Sequence, residues 1–239
     1  MKRLLILGVC LLICSCATTH PPVVQEQVPS LVKRLSAGDS LSWLKGYGNL
    51  QLGVHGQKVK LSIETAWNGD SDCTINLYML FGTVAALSTD STGRITVHAM
   101  KREIVKNPDD TLDIGMKMIS YPFTCRDVMH ILMGRLLNTS FVNQEPDSSV
   151  ILADTAHLLW LNPLHTGGKY TVDVEINRKQ SRITNVSFCA VGNKGWQLDY
   201  AAFNDRLPQE IRFKDANNNY FNLSYDNLTC GVERRHEER

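Results

Sequence analysis

Residues 48–67 read "GNLQLGVHGQKVKLSIETAW", and their apolar residues recur with a period of two. Leu50, Leu52 and Val54 share one side of the first run; Val59, Leu61, Ile63 and Trp67, with Thr65 completing the row, share one side of the second. Successive strand side chains point to opposite faces of a sheet, so each run reads as a strand with one face buried and one wet, the habit of antiparallel sheets.

The same period returns along the chain: Ile95, Val97 and Ala99 in "RITVHAM"; Tyr170, Val172, Val174 and Ile176 in "KYTVDVEIN"; Trp196, Leu198 and Tyr200 in "WQLDYAAF". Ile211 and Phe213, then Phe221, Leu223 and Tyr225, continue it. Turn-forming clusters such as "NGDSD", "TDSTG", "NRKQS" and "DANNN" separate the runs. About ten or eleven strand candidates, with no alternating βα units, predict a mainly β fold with some α: one large, curved antiparallel meander. One-sided alternation over so many strands leaves a continuous apolar face that must be covered. Leu52, Leu61, Ile63, Trp67, Val172, Val174 and Trp196 are the strand residues placed to line a cavity on it.

Two segments are candidates for the cover. In "SLVKRLSAGDSLSWLK" (30–45), Leu31, Val32 and Leu35 have helical spacing, followed by Leu41 and Leu44 after a break at Gly38. In "TCRDVMHILMGRLLN" (124–138), Thr124 and Asp127 match a loose capping box, and Val128, Ile131, Leu132 and Leu136 form a stripe. Met129, Met133 and Leu137 add apolar surface on other sides of this helix. It reads either as plain core packing or as an adaptable lid over an acyl-chain cavity, with Val128, Met129 and Leu132 facing the ligand.

The chain opens on Lys2, Arg3 and an apolar run from Leu4 to Ile13, too short to span a bilayer as a stable helix and typical of a secretion signal. Ile13-Cys14-Ser15-Cys16 resembles the bacterial lipobox, which makes Cys16 the lipidation candidate; Ala17 after it implies an outer-membrane address. Residues 1–15 are read as signal peptide, 16–29 as a lipidated N-terminus and Pro-rich tether, 30–232 as one folded domain and 233–239 as a charged tail. Removing Lys2 and Arg3 from 25 basic residues, against 24 acidic ones, leaves a nearly neutral chain with no polybasic stripe for nucleic acid. Cys73, Cys125, Cys189 and Cys230 remain, in no metal-ligand spacing, and their pairing is open among three connectivities.

No catalytic residue, metal or cofactor is expected. The chain lacks a nucleophile elbow and a phosphate loop, "GYGNLQ" enters a strand rather than a helix, and His55, His98, His130, His157 and His165 are scattered. Asp109, Asp110 and Asp113 fall short of a calcium loop, and the four N-x-[ST] sequons are incidental beside a lipobox.

The acylated cysteine, the tether, the first helix, Gly48-Asn49-Leu50, the strand ending in Trp67, and the late Trp196, Leu198, Tyr200, Pro208, Ile211 and Phe213 follow one another in an order that resembles the LolB-like outer-membrane lipoproteins. That group, which includes uncharacterised members, shares a fold with the carrier LolA. The resemblance implies an unclosed antiparallel half-barrel covered by helices, with a cavity for acyl chains. It also implies acylated lipoproteins or other lipids as ligands, a LolA-type periplasmic carrier as partner, and a periplasm-facing outer-membrane position held by the N-terminal lipid. LolB-like proteins present a leucine-tipped loop to the membrane; the matching positions here are Leu80 and Phe81 of "YMLFG" (78–82), in a shorter loop without the usual Asn-Pro-Leu-Gly. These two residues are either an exposed tip or a continuation of the strand into the core. Two other functions stay open: a binding module for another lipid or glycolipid, and a structural accessory of an envelope complex.

Overall fold

The computed structural model describes residues 28–37, 41–68, 72–80, 82–90, 94–99, 102–107, 125–135, 145–161, 170–190, 195–204 and 207–232. Helix α1 (Val28–Ala37) precedes strands β1 (Leu41–Val54), β2 (Gln57–Asn68), β3 (Asp72–Met79), β4 (Gly82–Thr89), β5 (Ile95–Ala99) and β6 (Arg102–Lys106). Helix α2 (Cys125–Leu132) separates these from β7 (Ser148–Ile151), β8 (Thr155–Leu161), β9 (Tyr170–Asn177), β10 (Arg182–Ala190), β11 (Gly195–Asn204), β12 (Leu207–Asp215) and β13 (Tyr220–Val232). All thirteen strands form one antiparallel sheet in the order β6-β5-β4-β3-β2-β1-β13-β12-β11-β10-β9-β8-β7. The first and last strands therefore pair at its centre, and its edges, β6 and β7, come from the middle of the chain. Among the described residues these edges do not pair, so the sheet is unclosed.

The strand count corrects the expectation of about ten or eleven. The short edges carry no period of two: Arg102, Glu103, Ile104 and Val105 of β6 are all exposed, as are Ser148, Ser149 and Val150 of β7. A strand with no half-buried face leaves no alternation to read. Helical cover is also smaller than expected. Among the described residues Leu31 and Leu35 from α1, Ile131 and Leu132 from α2, and Met133 just beyond it are the helix-derived members of a core otherwise built from strand side chains. A face from β1 to β3 and from β8 to β13 buries one connected cluster, in which large side chains such as Trp160, Phe213 and Ile211 are sealed.

Two helix boundaries differ from the sequence reading. Leu41 and Leu44 belong to β1, not to a helix; a register shift between Leu41 and Trp43 turns their spacing of three into two burials on one face. Helix α2 starts at Cys125, directly after Thr124, but stops before Leu136. Gly134, at φ 63°, donates its N–H to the Ile131 carbonyl (3.1 Å), and Arg135 donates to the His130 carbonyl (2.9 Å). This pair of bonds is a Schellman termination, and the left-handed conformation it needs suits glycine.

Glycines also serve the central β1–β13 seam. A Cβ at Gly46 would lie 2.6 Å from Tyr225 Cε1, so the absence of a side chain lets the Tyr225 ring lie across β1. The Tyr225 hydroxyl then reaches Thr65 Oγ1 on β2 at 3.1 Å, a buried bond that ties three strands together.

Candidate functional site

The buried face of the sheet is organised in rows that cross the strands, one through ring contacts and one through paired residues. One row is aromatic. Phe188 stacks on Trp196 (centroids 5.4 Å apart), Trp196 meets Phe213 (5.9 Å), and Phe213 stacks on Phe221 (5.2 Å). Phe221 pairs with Leu52, and Leu52 with Val59. Burial falls along this row: Phe188, Trp196 and Phe213 are buried, Phe221 and Leu52 are half-buried, and Val59 is 39% exposed. A second row runs parallel to it: Tyr200 pairs with Ile211, Ile211 with Leu223, Leu223 with Leu50, and Leu50 with Leu61. Strands lie about 4.8 Å apart, so these four steps span about 19 Å.

The candidate residues fall on this face. Leu61, Ile63, Trp67, Leu132, Val172, Val174 and Trp196 are buried in the described core, and Leu52 and Val128 are half-buried. The side chain of Met129 and the residues Cys16, Phe81, Leu136 and Leu137 lie outside what is described. Among the described residues the side chains of the inner face pack into one connected cluster. An open hollow of about 540 Å³ is bordered by Trp43, Lys45, Ala66, Asn68, Thr74 and Thr229, with Trp67 the one candidate residue on its lining.

At the β3–β4 hairpin Met79 pairs with Gly82, and Leu80 stands at the turn. Leu80 is 96% exposed and Met79 52%. Of the two readings of Leu80, the exposed tip is the one found. Because neighbouring strands alternate in direction, this tip, Val59 near the start of β2 and exposed Leu161 at the end of β8 all lie at the same end of the sheet.

Three features were missed by reading the sequence. Asp215, in what read as a plain turn cluster, is buried: its Oδ1 accepts the N–H groups of Asn217 and Asn219 (both 2.8 Å), and its Oδ2 accepts from Asn219 Nδ2 (2.9 Å). Asn219 Oδ1 in turn accepts the His55 N–H at 3.1 Å, tying the β12–β13 turn to the β1–β2 tip. Asp127 of α2 is fully buried. The Tyr200 hydroxyl, on a residue only 4% exposed, has no hydrogen-bond partner among the described residues, and burial raises its pKa. Strand alternation shows which face a tyrosine occupies, but not whether its hydroxyl finds a partner there.

Two histidines lie beside carboxylates: His157 Nδ1 is 3.4 Å from Asp173 Oδ1, and the exposed His98 has its Nδ1 3.8 Å from Glu103 Oε2. Among the described residues no group of His, Cys, Asp or Glu is arranged to hold a metal ion, and no helix is long and apolar enough to cross a membrane.

Comparison with solved structures finds the same arrangement in a LolA superfamily protein of Nitrosomonas europaea (TM-score 0.55, 10% identity), over 87% of this chain and 93% of that one. The fold is LolA/LolB-like. The LolA/LolB-like sheet also matches a domain of Vibrio parahaemolyticus named for outer membrane lipoprotein sorting (TM-score 0.58, 12% identity) and a DUF1329 family protein of Desulfovibrio piger (TM-score 0.60, 8% identity), each over 87% of this chain and 93% of the other. The sequence matches no family model, and no curated protein is significantly similar to it. At these identities the likeness is one of LolA/LolB-like architecture.

Proposed function

We propose that this chain is a lipid-anchored, periplasm-facing protein of the outer membrane, a binding protein rather than an enzyme. It accepts the acyl chains of lipoproteins from a LolA-type carrier and releases them into the bilayer. The observation that carries this reading is the placement of Leu80 and Met79 at an exposed tip, at the end of the sheet where the inner apolar rows become accessible at Val59. The hairpin tip meets the membrane, and the apolar rows behind it receive the chain. Room for the chain comes from displacing α2, whose Ile131 and Leu132, with Met133 just beyond it, are buried in the same core. Transfer is driven by moving apolar surface from carrier to receptor to bilayer, with no nucleotide required at this step.

The test mixes the full chain carrying Cys16→Ser with a LolA-type carrier loaded with labelled lipoprotein and follows the cargo. Transfer that is lost in a folded Val172→Glu or Leu132→Glu variant supports the reading. A folded protein that takes no cargo from an authentic carrier overturns it; lipid extracted from the purified protein then identifies a different ligand, and its absence favours a scaffold.

A further inference from the structure

Tyr200 carries a polar group that the packing does not use. Its neighbours along the row are Ile211, Leu223, Leu50 and Leu61, all apolar, and its hydroxyl is sealed without a partner among the described residues. A buried donor left unsatisfied is a cost that packing alone does not repay, and native proteins keep few of them. A phenylalanine would fill the same volume without that cost. The position of Tyr200 is also particular. A Cβ at Gly134, which terminates α2, would touch Pro208 Cδ at 3.1 Å and lie 3.9 Å from Tyr200 Cδ1, so the chain leaving the helix passes close to this tyrosine. Tyr200 therefore stands where the cover ends and an uninterrupted apolar row begins.

We propose that the Tyr200 hydroxyl is the polar anchor of the bound ligand: it donates a hydrogen bond to the ester or amide carbonyl of an acyl chain lying along the row from Ile211 to Leu61. The proposal rests on the acyl-binding reading above and adds the ligand's chemical class and orientation. The carbonyl sits beneath the end of α2, the hydrocarbon runs toward β2, and whatever the acyl group is attached to leaves beside α2. The row's span of about 19 Å suits a long chain laid across the strands. The anchor selects acyl compounds over plain hydrocarbon, because a bare alkane leaves the hydroxyl unsatisfied.

The experiment uses the same Cys16→Ser chain, with and without Tyr200→Phe, and two fluorescent probes: a pyrene-tipped alkane and the methyl ester of the corresponding pyrene-tipped fatty acid. The expected result is that the parent chain prefers the ester by about tenfold, as one buried hydrogen bond allows, and that Tyr200→Phe abolishes the preference while leaving alkane affinity unchanged. Thermal unfolding of ligand-free Tyr200→Phe should be unchanged or raised, which separates loss of the anchor from loss of the fold. If both probes bind and Tyr200→Phe leaves their ratio intact, the anchor is overturned while the acyl-binding reading stands; a change confined to stability, the signature of a hydroxyl that merely holds a buried water, overturns it equally. If the folded parent binds neither probe, the acyl-binding reading falls and the anchor with it.

Discussion

Cys73, Tyr225 and Asp215 show how single buried groups set the conditions under which this sheet is stable. Burial pushes the Cys73 thiol from 9.0 up to about 12. Burial likewise pushes the Tyr225 hydroxyl from 10.0 up to about 12, the Thr65 bond opposing and nearby Cys73 adding to the shift. Both groups are neutral in the fold and ionise more easily when it unfolds. Their contribution is therefore fully present below about pH 9 and is lost as pH rises through 9 and 10 toward 12, by up to about 1.4 kcal/mol per unit and group. Urea midpoints should stay level to about pH 8 and drop by about pH 10.5, and Cys73→Val should remove the earliest part of the drop. Asp215 acts through geometry. Asp215→Ala strands two backbone N–H groups and Asn219, so equilibrium denaturation should register a loss of about 2–3 kcal/mol, with Asp215→Asn less severe.

Elements differ in how much of their structure is local. The termination of α2 depends on one left-handed residue in contact with β12. Gly134→Ala places a Cβ against Pro208 in a backbone conformation that disfavours it, and should cost about 1–2 kcal/mol. Hydrogen exchange should locate that loss in α2 rather than in the central strands. The β3–β4 hairpin makes the opposite prediction. Leu80→Ser removes an exposed side chain, so stability should change by less than about 0.5 kcal/mol. Vesicle association of the Cys16→Ser chain should fall by about tenfold or more, since burying one leucine in hydrocarbon is worth about 1.5–3 kcal/mol. Unchanged association would remove the tip from the membrane contact. The elements that were legible beforehand are those with a wet face and a dry one: the rows of β1, β2, β9 and β11 follow from alternation alone. The edge strands β6 and β7 were not, for want of a buried face, and the start of β1 was not, because a bulge disguised its period.

For the whole molecule, the decisive contact joins the first and last of the described strands. β1 and β13 pair from Leu41↔Val232 to Gly53↔Tyr220, at the centre of the sheet. Neither arm of the meander is then an independent unit, and deleting residues 220–232 should abolish cooperative unfolding rather than trim an edge. Circular dichroism with a denaturant titration checks this: a truncated chain with a sharp, native-like transition would show that the arms fold separately. Closing so long a loop before the seam forms makes for slow folding, so refolding of the intact chain should fall in the millisecond-to-second range or slower.

The sequence by itself determined the strand faces, the antiparallel class and the identity of most core residues, because alternation is a local consequence of the pleat and of one-sided burial. Only the tertiary structure decided that β1 meets β13, that Leu80 stands clear of the core, that Asp215 is sealed inside its turn and that the Tyr200 hydroxyl is left without a partner among the described residues. Each of these depends on which distant residue occupies the space opposite a side chain, and the period of a strand records the direction a residue faces without recording what it meets.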